Sequence, residues 1–305
     1  MEIICCGDLH LTNKNPRNRK GDYFQQLINK FEQILKITQK TDSKILLVSG
    51  DFFDLAKAEY QVTNQVLKSI EKYTVNIFAV AGQHDILFHV GSLKNSPLGT
   101  LEASGAVTIL KPDVVTKINN ISLIGCSWNE TPETKADIIV THQMITKKGP
   151  LWPGQTDYSS ASAIMRKYPW AKLILSGDNH TPHVLRLKSG RLQINSGSMM
   201  RSTKAQIDFK PRVYKVNTDT WKVKPIYLEI EKPEDVFDFE KIGMDEIKEE
   251  IKNEASEKIA KFVASLPQNM QDRPNFKLIL QSLIEKSKPS KKVQEIINKT
   301  MERIS

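Results

Sequence analysis

The chain contains six histidines, His10, His84, His89, His142, His180 and His183, and each lies in or beside a short polar cluster that ends or follows an apolar run. Imidazoles and carboxylates gathered in this way are the donors that hold divalent cations. Asp8-Leu9-His10 places one of each at alternate positions, which share a side of an extended chain and so can reach one ion together. Gly50-Asp51-Phe52-Phe53-Asp54 adds a second carboxylate after a glycine that permits a sharp exit. A carboxylate can bridge two cations, which often stand about 3.5–4 Å apart in two-metal sites. Gln83-His84-Asp85, His142 and Gly177-Asp178-Asn179-His180 supply the remaining candidate donors. A single histidine is more often structural than ligating, but several such clusters at strand ends point to a metal centre.

The elements that must position these clusters alternate in type. Ile3–Cys6, Ile45–Val48 and Val75–Val80 read as buried strands, each running into one of the polar clusters. Between them, Tyr23–Thr38 and Val62–Tyr73 carry apolar residues at helical spacing. That order implies a partly parallel sheet covered by helices. From about residue 107 the spacing changes to strand after strand, through Ile121–Cys126, Ile138–His142 and Leu173–Ser176 to Val223–Glu229. A second sheet is therefore expected, giving a four-layer α/β sandwich with two β-sheets flanked by helices. Phe52 and Phe53 are expected in its core.

The acidic and proline cluster Glu231-Lys232-Pro233-Glu234-Asp235 is the expected boundary between a domain of residues 1–232 and a helical C-terminal region, 233–305. Residues 244–266 repeat apolar positions at helical spacing, with shorter candidate helices at 276–284 and 293–304. That apolar stripe could pack on the domain or dock a partner's helix, and the basic tail from Lys286 could contact DNA.

Composition sets the class. At 39% apolar and 26% charged residues, the chain is of globular type and is neither disordered nor fibrous. The formal charge of +9 is carried by residues 1–232, because 233–305 is nearly balanced. A positive surface around the clusters would favour a polyanionic substrate. No secretory leader and no membrane span are expected. Cys5, Cys6 and Cys126 are odd in number and sit in apolar runs, as small buried hydrophobes of a reducing, cytoplasmic compartment.

Asp8-Leu9-His10, Gly50-Asp51-Phe52-Phe53-Asp54, Gly82-Gln83-His84-Asp85, His142 and Gly177-Asp178-Asn179-His180 resemble, in that order, the motifs of the calcineurin-like metallophosphoesterases. The resemblance covers about residues 1–230. Within the superfamily the chain is most similar to the SbcD-type nuclease subunit of DNA repair. Arg17, Arg19 and Lys20 follow the first motif, and Asn195-Ser196-Gly197-Ser198 with Arg201 follows the last, as in that branch. The resemblance implies one metal held by Asp8, His10, Asp51 and His180, and another held by Asp51, Gln83, His142 and Asp178. It makes His84 the catalytic acid, with Asp85 orienting it.

It further implies two divalent ions, manganese or magnesium, acting on DNA. It also implies a homodimer partnered by an SbcC-like coiled-coil ATPase. Arg17, Arg19, Lys20, Arg201 and the Lys147-Lys148 loop are candidate phosphate contacts, and His89 and His183 are expected at the cleft rim.

Two positions depart from the pattern. Gln83 stands where the family has Asn, and Asp178 where it has His, which puts a hard oxygen in place of an imidazole. A rival register would use His180 with His183, although Pro182 intervenes. Other readings keep the site but change its use, to a phosphomonoesterase, a cyclic-nucleotide phosphodiesterase or a weakened DNA-binding scaffold.

Overall fold

A computed structural model describes residues 1–87 and 92–243. His89 and the helical stretches expected after residue 243 lie outside the described residues. The strands and helices run in the order β1 (Glu2–Cys6), α1 (Tyr23–Gln39), β2 (Ile45–Val48), α2 (Tyr60–Glu71), β3 (Asn76–Ala79), α3 (Pro97–Ala103), β4 (Thr108–Ile109), β5 (Thr116–Ile118), β6 (Ile121–Cys126), β7 (Ile138–Thr141), β8 (Ile145–Thr146), β9 (Ser159–Ser160), α4 (Ala161–Lys167), β10 (Leu173–Ser176), β11 (His183–Arg186), β12 (Leu192–Asn195), β13 (Arg212–Asn217), β14 (Lys222–Tyr227) and α5 (Pro233–Val236).

Two six-stranded sheets form, ordered β14-β13-β1-β2-β3-β4 and β11-β12-β10-β7-β6-β5. The period of two along each strand explains why they pack. In β1, Ile3 and Cys5 join Ile45, Leu47, Leu123, Val140 and Leu175 in a buried cluster that takes residues from both sheets. Ile4 and Cys6 instead meet Phe31, Leu35, Val62 and Val66 of α1 and α2. On the far side, Ile124, Ile139 and Ile174 pack on Ile164 and Met165 of α4. These three apolar layers separate the four layers expected from the sequence. A fully buried Leu or Ile side chain of this kind contributes about 1.5–3 kcal/mol.

α1 starts where it does because the Asp22 carboxylate accepts from the Gln25 amide at 2.9 Å, satisfying one of the helix's open N–H groups. It then buries Leu27, Ile28, Phe31, Ile34 and Leu35 along one face.

The sheets exchange strands in a way the linear spacing does not announce. β4, β13 and β14, expected in the second sheet, belong to the first, where β4 pairs with β3 and β13 runs antiparallel to β1. The driving residues are Tyr214 and Val216, which β13 delivers to the layer between the sheets. Cys5, Cys6 and Cys126 are buried thiols. One compact unit spans Met1–Ile242, so Val236, Phe237 and Ile242, beyond the Glu231–Asp235 cluster, still pack within it. Among the described residues, no helix is long and apolar enough to cross a membrane.

Candidate metal centre

β1, β2 and β3 are parallel neighbours in one sheet, and β7 and β10 are parallel neighbours in the other. Parallel order brings their carboxyl ends to one edge, where crevice sites form. Asp8 follows β1, Asp51 follows β2, Gln83 to Asp85 follow β3, His142 follows β7, and Asp178 with His180 follows β10. Beyond the strands, the first two exits run side by side: the Asp8 amide donates to Gly50 O at 3.1 Å and the His10 amide to Asp51 O at 2.9 Å.

The turning is done by the donors themselves. Asp8, His10, Asp51 and Asp178 all have positive φ, at 52°, 46°, 47° and 70°. Such angles are costly for residues with a Cβ and collect at functional sites. Asp8 and His10 therefore converge through left-handed turns, and the extended alternation expected for Asp8-Leu9-His10 does not occur. Gly82 is required by contact instead of angle: a Cβ there would stand 2.0 Å from Asp51 Oδ1.

Donor atoms of Asp8, His10 and His180 lie within 4.8 Å of one another, as do those of Asp8, Asp51 and His142, and those of His10, Asp51 and His84. The Nε2 atoms of His10 and His180 are 3.1 Å apart. Two bare nitrogen lone pairs would repel at that distance, and a shared cation or proton removes the repulsion. Asp8, Asp51 and His142 are buried at 1% exposure, and Asp8 Oδ2 and His142 Nε2 have no hydrogen-bond partner there. The Nδ1 of His142 is 2.7 Å from Ser49 O, which can only accept, so Nδ1 carries the hydrogen and Nε2 is left as the donor atom. Buried, anionic and imidazole-rich, with orphaned donor atoms, the residues fit divalent cations.

Electrostatics follow from the crowding. Burial opposes charge on His142, but the Asp51 carboxylate outweighs it and lifts the imidazole to about 10. Burial likewise opposes ionisation of Asp51, yet His142 holds its carboxyl well below the usual carboxylate range. Burial raises Asp8 and lowers His180, whereas the carboxylates of Asp54 and Asp51 raise His10 against its own burial.

His84 lines the same cleft, and its Nδ1 lies 2.7 Å from Asp54 O. That carbonyl can only accept, so it commits the Nδ1 hydrogen and leaves Nε2 as the other ring nitrogen to meet a ligand. Asp85 has a different task from the one expected. Its buried carboxylate accepts from the amides of Phe52, Phe53 and Gly82 at 3.1, 2.9 and 2.9 Å, so it fixes the loops that carry Asp51 and His84 while the Asp54 carbonyl orients the ring. Burial, then Asp51, raises Asp85 to about 6. The two residues that depart from the motif pattern meet: Gln83 Nε2 donates to Asp178 Oδ1 at 3.0 Å. The Asp178 amide donates to Asp8 Oδ1 at 2.9 Å.

Of the candidate phosphate contacts, Arg17, Lys20, Lys147 and Lys148 are exposed. Arg19 and Arg201 are not at the surface. They are 3% and 2% exposed, and their guanidiniums donate to backbone carbonyls of Arg201 and Ile207, so neither is placed to meet a phosphate. His183 is buried at the start of β11 and makes no part of the donor cluster. Sequence reasoning passed over Asp54, whose carboxylate lies 3.3 Å from His10 Nδ1 and whose carbonyl holds His84. The Gly-Asp-X-X-Asp spacing was the sign of it. The cleft over the cluster has a volume of about 370 Å³, and Lys14, Asn15, Tyr23, Ser202 and Thr203 line it with the donors.

Residues 1–182 match the calcineurin-like phosphoesterase family. The chain belongs to that family. No curated protein matches the sequence. Solved structures similar to this calcineurin-like phosphoesterase include an archaeal phosphodiesterase, 14% identical with a TM-score of 0.44, covering 75% of this chain and all of its own. A hypothetical protein from Pyrococcus horikoshii is 18% identical, with a TM-score of 0.45, covering 82% of this chain and 93% of its own. A dimetal phosphatase from Danio rerio is 10% identical, with a TM-score of 0.47, covering 76% and 97%.

Proposed function

We propose that this phosphoesterase is a metal-dependent phosphodiesterase that cleaves DNA, in repair or recombination, as a cytoplasmic homodimer partnered by a coiled-coil ATPase of the SbcC type. The observation that carries the hydrolytic reading is His84, whose ring Asp54 O orients through Nδ1 in the cleft beside the buried donors. A scaffold that only bound nucleic acid would gain nothing from an imidazole kept in that orientation.

Asp8, His10, Asp51 and His180 would hold one divalent ion, manganese or magnesium, and Asp51, Gln83, His142 and Asp178 the other. Ions held there supply Lewis acidity, lowering the pKa of water and neutralising charge on a phosphoryl group. The protein's own part is positional. Ser49 O and Asp54 O fix the rings of His142 and His84, and Asp85 pins the loops between them. His84 Nε2 delivers a proton to the leaving oxygen. DNA as substrate is supported by the positive charge of residues 1–232 and by exposed Lys14, Arg17, Lys20, Lys147 and Lys148.

The test is hydrolysis of linear and hairpin DNA, bis(p-nitrophenyl) phosphate and p-nitrophenyl phosphate, with manganese, magnesium or chelator, beside His84→Ala. Metal-dependent cleavage of DNA and of the diester is expected. Turnover of the monoester alone would overturn the DNA reading, and no metal-dependent turnover of any ester would overturn the hydrolytic one.

A further inference from the structure

The arginines expected at the substrate are buried. After β14 the chain runs on as a strap, residues 229–242, and three cations receive it. Lys30, 2% exposed, donates to Glu229 O and lies 3.5 Å from Glu231 Oε2. Arg201 donates to Glu231 O and, at 2.8 Å, to Ile207 O. Phe237, without exposed surface, has the guanidinium carbon of Arg19 at 5.0 Å from its ring centre and that of Arg201 at 5.7 Å. An antiparallel bridge pairs Arg19 with Phe237. In it, the Lys20 amide donates to Val236 O and the Asp238 amide to Asn18 O, each at 3.0 Å.

These contacts join two segments that also supply walls of the metal cleft. Thr12, Lys14, Asn15, Pro16 and Tyr23 line it from the segment that runs into α1, and Ser198, Met200, Ser202 and Thr203 from the segment after β12. Arg19 falls between Pro16 and Tyr23 in the chain, and Arg201 between Met200 and Ser202. Arg19 Nη1 also donates to Arg201 O at 3.0 Å, tying one wall to the other. Arg201 takes one of its carbonyl partners, Glu231 O, from the strap, and a buried guanidinium deprived of a partner is costly; Arg19, bonded to Arg201 O and to Gln26 Oε1, meets the strap through the Phe237 ring and the backbone bridge. The Phe237 ring, within reach of both guanidiniums, adds cation–π attraction that an aliphatic side chain lacks.

We propose that the strap positions the cleft: by seating Phe237 against both Arg19 and Arg201 it fixes the spacing of the two walls and thereby the access of a phosphodiester to the metal ligands. The inference rests on the proposed function only in taking the cleft as the place where substrate enters.

The test is hydrogen exchange on the full chain without substrate, comparing wild type with Phe237→Leu, which keeps an apolar group but loses the ring, and with Arg19→Lys, which keeps the charge but loses the fork. Amides of residues 16–23 and 198–203 are expected to exchange at least tenfold faster, with β2, β7 and β10 unchanged. Calorimetry is expected to show wild-type metal stoichiometry, and KM for bis(p-nitrophenyl) phosphate to rise more than kcat falls. Faster exchange confined to residues 229–242, uniform acceleration through β2, β7 and β10, or no change at all would each overturn the proposal. If Phe237→Leu does not fold, Arg19→Lys decides the matter. A chain that hydrolyses no diester but shows the localised exchange refutes the phosphodiesterase reading and leaves the strap's role standing.

Discussion

Asp51 Oδ2 lies 3.4 Å from His142 Nε2, and both side chains are almost fully buried. Without a cation the pair is an ion pair, with His142 lifted to about 10 although burial opposes its charge. A metal ion must therefore displace a proton from His142. Because the folded value lies above that of the unfolded chain, protonation of His142 stabilises the metal-free protein fully below about pH 6.5, and this contribution is lost as pH rises through about 10. Melting of the chelator-treated chain is expected at falling temperature from pH 7 to pH 10. The increment given by manganese should grow over the same range, with apparent affinity rising by about tenfold per pH unit for one displaced proton. Metal affinity independent of pH over that window would contradict the assignment of His142 as a ligand.

His84 offers a cleaner separation of binding from turnover. With Nδ1 committed to Asp54 O, its other nitrogen serves either the substrate or an ion. His84→Ala is expected to keep both ions by calorimetry while turnover falls by about 10²- to 10⁴-fold, the usual worth of a positioned acid. Loss of one ion in that titration would make His84 a ligand instead.

What the sequence discloses here is local, and what it hides is long-range. β1, β2, α1 and the polar clusters are legible because alternating or helical apolar spacing meets Gly-Asp punctuation. Membership of β4, β13 and β14 in the first sheet depends on pairing across the fold, such as Ile3 with Val216, which no local spacing encodes. The short helices α3 and α4 carry too few turns to show a period. Arg19 and Arg201 read as surface charges by residue type, but their partners are carbonyls supplied by distant segments. The left-handed turns at Asp8 and His10 are equally invisible, since neither residue is the glycine that usually marks them.

Gly82 makes the closest approach in the centre. An added methyl group would meet Asp51 Oδ1 at 2.0 Å and Asp51 N at 2.5 Å, one of them backbone, so the clash cannot be relieved by a rotamer change. Gly82→Ala is expected to cost about 1–3 kcal/mol of stability, the usual range for overpacking, when urea unfolding of the metal-free chain is compared with wild type. Metal affinity should fall with it, because Asp51 contributes to two of the donor groups. A variant with unchanged affinity would show that Asp51 can move without loss.

Gln83 and Asp178, the two departures from the motif pattern, are joined by a hydrogen bond, and the Asp178 amide holds Asp8. A backbone donor survives any substitution, so Asp178→Ala removes the carboxylate while leaving the Asp8 contact. Gln83→Ala removes its amide donor. If both residues serve one ion, each variant should weaken one of two binding events by calorimetry and leave the other near wild type. The double variant should then cost less than the sum of the single changes, because the shared bond is lost only once. Manganese and magnesium, which prefer oxygen donors, should suffer more than zinc in Asp178→Ala, and Asp178→His should shift the preference toward zinc. Equal loss at both ions would instead mean that Asp178 acts chiefly on Asp8, through the path of the chain after β10.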